Sequence, residues 1–174
     1  TGVHHLTIVD GDVVCASNVN RQMMATTKTI GQVKVDALKE RLLEINPNAQ
    51  IEAIHKMYTE ATAEGFCLSD YDFIIDAIDS INDKMLLMLR ACETSAVFYS
   101  SMGAARKIDT SRIAVAEFWK VKGCPLGATL RRKFRATGTF PKKKFKCVYS
   151  EEQPSPVVGG GLGSLHYITA MFGL

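Results

Sequence analysis

A chain of 174 residues that is 47% hydrophobic and 22% charged can bury a core of its own, which excludes a disordered tail. No apolar run approaches the ~20 residues that cross a bilayer. The formal net charge of +3 hides an asymmetry: residues 1–100 carry 8 Lys+Arg against 14 Asp+Glu, whereas residues 101–150 carry 13 against 2. A basic block of that size points to a polyanion partner on one face.

Thr1-Gly2-Val3, followed by two histidines, lacks the basic start and apolar stretch of a secretion signal. Leu6 to Val9 reads as a short buried strand ending at Asp10. Residues 11–32 are polar, with Gly11, Asn18, Asn20 and Gly31, and predict a long functional loop. Val33, Ala37, Leu38, Arg41, Leu42 and Ile45 recur at helical spacing, and Asn46-Pro47 ends that helix. Strands are expected at Gln50–His55, Tyr71–Ala77 and Ala96–Ser100, with a helix over Asp83–Thr94. Strand–helix alternation of this kind predicts an α/β, Rossmann-like fold, with a mainly parallel sheet and flanking helices. Ligands bind such sheets beyond the carboxyl ends of the strands, where Asp10 and Asp79 fall.

After Arg112 the pattern changes, and additional strands enter the C-terminal half. Alternation of Ile113, Val115, Glu117 and Trp119 predicts a strand over Arg112–Trp119. A short helix is expected at Leu126–Phe134, a mobile loop at Thr137–Lys144 and a strand at Phe145–Ser150. A Pro/Gly-rich linker follows at Ser155–Gly163, then an apolar helix at Leu165–Leu174. Cys15, Cys67, Cys92, Cys124 and Cys147 form no C-x-x-C pair, so reduced thiols in a cytoplasmic protein are expected, without a structural zinc. Buried, inert thiols are the simplest reading of Cys124 and Cys147.

The segment Asp10 to Gln22 is unusual. A carboxylate at a strand end can accept hydrogen bonds from ribose hydroxyls. Asn18 and Arg21 add an amide and a guanidinium, whose fork suits phosphate. Lys34 falls in the first turn of the following helix, where a point charge can neutralise a triphosphate. Asp79-Ser80 supplies a carboxylate of the kind that holds Mg²⁺ together with phosphates. Each feature alone has a plainer explanation: a strand-end Asp caps helices or makes turns, and a lone surface Lys is solvated. Their joint order and spacing carries the functional reading.

That order resembles the ubiquitin-activating-enzyme-like superfamily, which includes the sulfur-carrier adenylyltransferases. The matching residues are Asp10, Asp12, Val14, Ser17-Asn18, Arg21-Gln22, Gly31, Lys34 and Asp79-Ser80. The resemblance implies ATP activation of a carboxylate as an acyl-adenylate, with Mg²⁺. It implies that Asp10 holds the ribose, that Ser17, Asn18, Arg21 and Lys34 hold the phosphates, and that Asp79, with Ser80 beside it, serves adenylation. Arg21, Lys34 and Asp79 are the expected catalytic residues.

Ser100-Ser-Met-Gly-Ala-Ala105, Gly123-Cys-Pro-Leu126, Leu130-Arg-Arg-Lys-Phe134, Cys147-Val-Tyr-Ser-Glu-Glu152 and Gly163-Ser-Leu165 look like the tRNA threonylcarbamoyladenosine dehydratase branch. This implies cyclisation of a modified adenosine in tRNA, and a homodimer. Arg131, Arg132, Lys133, Arg135, Lys142, Lys143 and Lys144 are then the expected tRNA contacts. A carrier protein of a sulfur relay remains a possible partner.

The superfamily places a glycine-rich phosphate loop before the position of Thr1, and Gly159–Gly163 follows a linker and not a strand. We therefore expect one adenylation domain over residues 1–174, cut from a longer chain at both ends. Three rivals stand beside this reading: an adenylyltransferase for a ubiquitin-like sulfur carrier, an NAD-dependent oxidoreductase, and a non-catalytic RNA- or partner-binding module.

Overall fold

The structure is a computed structural model, and it describes residues 3–153. The expected linker at Ser155–Gly163, the glycine run within it and the helix at Leu165–Leu174 lie outside the described residues. The chain divides into two compact units, residues 1–62 and 63–174.

The first unit is a β–α–β arrangement. Strand β1 (His5–Val9) pairs in parallel with β2 (Gln50–Ile54), with His5 opposite Gln50 and Val9 opposite Ile54. Parallel neighbours need a long crossover, and helix α1 (Lys34–Ile45) supplies it, packing on β2. The helix ends where Asn46 leaves helical backbone ahead of Pro47. The strand boundaries fit expectation, but β1 is not a buried strand: Leu6 and Val9 are exposed. Among the described residues β1 has one neighbouring strand, so much of its surface stays open.

Residues 11–32 are an ordered excursion rather than a plain loop. Val13 bridges Val33 in antiparallel fashion, Val14 N donates to Gln32 O and Gly31 N donates to Val14 O. Val14 is buried with Ala25 and Ala37, and Met24 packs on them. A small apolar cluster thus fastens the excursion to α1.

The second unit holds a four-stranded sheet in the order β3-β4-β6-β5. Its strands are β3 (Phe73–Asp76), β4 (Val97–Ser101), β5 (Ile113–Glu117) and β6 (Lys146–Ser150). The first three strands in that order run parallel, and β5 closes the edge antiparallel to β6. Period-two alternation buries Ile74, Asp76, Phe98, Ser100, Cys147 and Tyr149 on one face. The other face leaves Phe73, Ile75, Val97 and Val115 exposed.

Helix α2 (Ile81–Ala91) packs on β3, and α3 (Pro125–Thr137) packs on α2. Phe98, Phe118, Phe134 and Phe145 form the aromatic centre, with Phe98–Phe145 at 4.9 Å, Phe118–Phe145 at 5.1 Å and Phe118–Phe134 at 5.8 Å between ring centroids. Burying each such ring contributes about 1.5–3 kcal/mol, and each pair adds about 0.5–1.5 kcal/mol.

Three expectations are corrected here. Helix α2 begins at Ile81, because Ser80 already takes the extended N-cap backbone. The strand expected over Arg112–Trp119 stops at Glu117, and Phe118–Lys120 form a 3-10 turn. The loop expected to be mobile at Thr137–Lys144 is fixed. Helix α3 runs to Thr137 and is capped by Gly138 in the left-handed region at φ +67°. Beyond it, Lys143 Nζ donates to Thr94 O at 2.8 Å and to Ala96 O, while Lys142 pairs with Glu93 at 2.7 Å.

Candidate active site

In the first unit the turn after β1 brings the acidic and basic groups together. Asp10 Oδ1 accepts from Asp12 N at 2.8 Å, a local turn that short carboxylates favour. Lys34 N donates to Asp12 O at 3.0 Å, so the first residue of α1 is tied to that turn. The Lys34 ammonium lies 2.7 Å from Asp12 Oδ2 and 3.8 Å from Asp10 Oδ2. The Lys34 side chain is only 9% exposed, whereas those of Asp10 and Asp12 are 38% and 56% exposed. One ammonium donor is thus engaged by Asp12, and the pair opens to solvent on its carboxylate side.

Gly11 has a geometric reason. A Cβ there would lie 2.9 Å from Met57 N and 2.5 Å from Met57 Cγ. His55 Nε2 lies 3.0 Å from Gly11 O. The turns following β1 and β2 are therefore pressed together at the carboxyl edge of this sheet.

Asn18 is buried, and its Oδ1 accepts from Cys15 N at 2.9 Å. Its backbone carbonyl takes both Arg21 N and Gln22 N. Asn18 therefore shapes the loop, while its amide nitrogen makes no hydrogen bond among the described residues. Arg21 donates to Ser17 O at 2.7 Å and to Asn20 Oδ1 at 2.9 Å, which holds its guanidinium on the same loop. Ser17 itself is exposed. Gln22 Oε1 is shielded from solvent without a hydrogen-bond partner among the described residues. An orphaned acceptor of this kind fits a loop that closes on a ligand bearing donors. Guanidinium, ammonium and amide donors with carboxylate acceptors, all within residues 10–34, suit an anionic nucleotide with ribose hydroxyls.

Asp79 and Ser80 lie in the second unit. Asp79 is exposed and its carboxylate has no partner among the described residues. Ser80 occupies the N-cap of α2 without a side-chain capping bond. The turn carrying them is fixed from beneath by groups that the sequence reading left without a role. Asp76 and Lys84 are both 0% exposed and pair at 2.8 Å. Lys84 Nζ also donates to Ile78 O at 2.9 Å and Ser101 O at 2.8 Å, filling its three donor positions. Asp76 accepts from Ser100 Oγ at 2.5 Å and from Ile78 N at 2.9 Å. Lys84 therefore joins the ends of β3 and β4 and sets the backbone ahead of Asp79. A signal was present: Lys84, Leu87, Met88 and Ala91 form the buried stripe of α2, and a lysine on such a stripe needs a buried acid.

The residues expected to touch tRNA divide by partner. Arg131 donates to Phe118 O at 3.1 Å, Lys133 to Asn82 Oδ1 at 2.5 Å, and Lys142 and Lys143 are engaged as described above. Arg132, Arg135 and Lys144 are exposed. Among the described residues no group of three or more His, Cys, Asp or Glu side chains could hold a metal ion. Mg²⁺ commonly needs only one or two carboxylates beside phosphates, which the unpaired Asp79 can supply. Cys124 and Cys147 are buried. Burial pushes the Cys147 thiol up to about 12, as expected of an inert thiol, and Cys124 Sγ accepts from Gly127 N at the start of α3; the expected burial holds for both.

The ThiF family model matches residues 1–172. The chain is 39% identical over 154 residues to the tRNA threonylcarbamoyladenosine dehydratase of Bacillus subtilis, covering 88% of this chain and 60% of that protein. The corresponding Haemophilus influenzae protein is 30% identical, across 99% of this chain and 73% of its own length. A crystal structure of the Escherichia coli tRNA N6-threonylcarbamoyladenosine dehydratase in complex with AMP matches with a TM-score of 0.90 at 30% identity, over 99% of this chain and 72% of that one. The same enzyme in complex with ATP gives a TM-score of 0.88. The chain thus spans about three fifths of the Bacillus subtilis relative, and it belongs to the ThiF family.

Proposed function

We propose that this protein uses ATP to cyclise threonylcarbamoyladenosine in tRNA, with loss of water, through an acyl-adenylate. The observation that carries the ATP reading is the Asp10–Asp12–Lys34 turn, a nearly buried ammonium bound by Asp12 at 2.7 Å with Asp10 at 3.8 Å, both carboxylates partly open. The dehydratase names of relatives at 30–39% identity support the tRNA substrate. In this reading the family match over residues 1–172 corresponds to one adenylation domain.

The chemistry follows from the substrate. A carboxylate resists nucleophilic attack because of its charge. Its oxygen attacks the α-phosphorus of ATP, the bond to the β-phosphate oxygen breaks, and pyrophosphate leaves. A nucleophile in the same modified side chain then attacks the activated carbonyl, and AMP departs with the oxygen that was the carboxylate's. No protein nucleophile is required, which agrees with the buried thiols of Cys124 and Cys147.

Asp10 accepts from the ribose hydroxyls. Ser17, the amide nitrogen of Asn18, Arg21 and Lys34 hold the phosphates and stabilise charge as it develops. Asp79 binds Mg²⁺, with Ser80 beside it at the helix start. Arg132 and Lys144 meet tRNA phosphates and Arg135 meets the tRNA beside them, whereas Lys143, Arg131 and Lys133 serve mainly to fix the fold. The reading extends to a cytoplasmic homodimer, and a sulfur-relay carrier is a secondary partner.

The test is the mass of the modified nucleoside after incubating the intact protein with ATP, Mg²⁺ and tRNA bearing threonylcarbamoyladenosine. Loss of one water from that nucleoside is expected. An unchanged nucleoside, with ATP–pyrophosphate exchange driven instead by a small carrier protein, would sink the proposal.

A further inference from the structure

Residues 118–146 contain ten Lys or Arg and no Asp or Glu. Within this block two large rings remain open to solvent. Trp119, on the turn after β5, is 37% exposed, and Phe140, in the loop after α3, is 49% exposed. Their centroids lie 5.8 Å apart. Phe134 supports Trp119 from the core at 6.4 Å, and Phe118 meets it edge-on at 5.1 Å. The Arg135 guanidinium carbon sits over the Trp119 ring at 5.8 Å. Two adjacent exposed rings forgo the burial that aromatic side chains usually obtain. Here Phe140 packs on Trp119, Trp119 packs on the core rings, and the Arg135 guanidinium lies beside them.

We propose that Trp119, Phe140 and Arg135 form a stacking platform for an unpaired base of the RNA substrate. This assignment rests on the tRNA reading above and deepens it. Single-stranded nucleic acid is bound by aromatic faces for its bases and cations for its backbone. The guanidinium over Trp119 presents a further flat, cationic surface on which a base can stack. Arg132, one turn before Arg135 on α3, is exposed and suits an adjoining phosphate. A stretch of 29 residues with ten cations and no acid of its own disfavours a basic or neutral protein partner.

These 174 residues hold one tryptophan, so the part of the intrinsic fluorescence that Trp119→Phe removes reads that ring. The intact protein is titrated with tRNA bearing threonylcarbamoyladenosine, with a fully paired RNA duplex and with phosphatidylserine vesicles, while tRNA retention on filters is measured in parallel. The tRNA is expected to quench Trp119 emission saturably and the duplex to do so weakly. Phe140→Ala should weaken tRNA binding about 5- to 150-fold, the worth of one stacked base, without changing its salt slope. Phe140→Leu, which keeps apolar bulk, should lose nearly as much, whereas Phe140→Tyr should retain affinity. Arg132→Ala should instead lower the salt slope by about one ion. Retention of tRNA with unchanged Trp119 emission and unaltered Phe140→Ala affinity would overturn the platform and leave the tRNA reading standing. Quenching by vesicles alone would overturn it in favour of a membrane surface. Absence of any tRNA retention would overturn both.

Discussion

Each unit places a lysine near the start of a helix that follows an acidic strand end, and the two lysines have opposite surroundings. Lys84 and Asp76 are wholly buried, and the lysine's donors are all used inside the protein. Lys34 is nearly buried, but Asp10 and Asp12 face solvent and only Asp12 is within hydrogen-bond distance. The first pair has no capacity left for a ligand and acts as a structural tie. The second keeps donors and acceptors on offer. Ion pairs are therefore told apart by saturation and not by residue type or by position near a helix start.

Breaking the structural pair should give the largest effect. Lys84→Met leaves the Asp76 carboxylate buried without its counter-charge, and the expected loss is about 3–5 kcal/mol in denaturant unfolding. Combining Lys84→Met with Asp76→Leu should recover much of that loss, since two apolar groups need no pairing. A Lys84→Met protein as stable as the parent would contradict the structural assignment.

Removing the groups proposed to meet the nucleotide should do the reverse. Arg21→Ala and Asp79→Ala should each lower nucleoside cyclisation about 10²–10³-fold, the usual scale for one lost electrostatic contact in a transition state. Their unfolding midpoints should stay close to the parent's. Full activity in both variants would refute the site.

A smaller effect separates the two neighbouring lysines of the basic loop. Lys143→Ala removes the donor from the Thr94 and Ala96 carbonyls and should cost about 1–2 kcal/mol. Lys142→Ala breaks only the exposed contact with Glu93, and its denaturation midpoint should be unchanged. Equal destabilisation by both would show that the loop is not anchored as described.

Thiol labelling gives the mildest test. Cys15 and Cys67 are exposed, whereas Cys147 is buried with a thiol pushed up to about 12 by desolvation. At pH 8 only about 10⁻⁴ of the Cys147 thiol is ionised. Iodoacetamide mass labelling should therefore mark Cys15 and Cys67 and spare Cys147. Labelling of Cys147 in the folded protein would contradict the packing around Asp76 and Lys84.

Much of this was legible in the sequence where the signal is local. Short strand-like runs placed β1 to β4 within a residue or two, and helical spacing placed α1. The motif from Asp10 to Lys34 was legible because its residues lie close along the chain. What escaped depends on contacts between distant residues. Lys84 meets Ser101 across 17 positions, and Lys143 meets Thr94 across 49, which no local pattern encodes. Lysines therefore read as a mobile solvated run, although one of them closes two backbone carbonyls. The burial of β1 was also overestimated, because Leu6 and Val9 have the composition of a core but lie exposed. Helix α3 was read too short because Pro125 is an N1 residue and Gly138 a left-handed cap, and both extend the helix beyond its apolar stripe.

The contrast between the two lysines is tested most directly by calorimetric titration of the intact protein with ATP and Mg²⁺, comparing the parent with Lys34→Ala and confirming the fold by circular dichroism. Lys34→Ala should remain folded and bind ATP at least about tenfold more weakly, the scale of one lost charge-assisted hydrogen bond. A folded Lys34→Ala protein with undiminished ATP affinity would contradict the account.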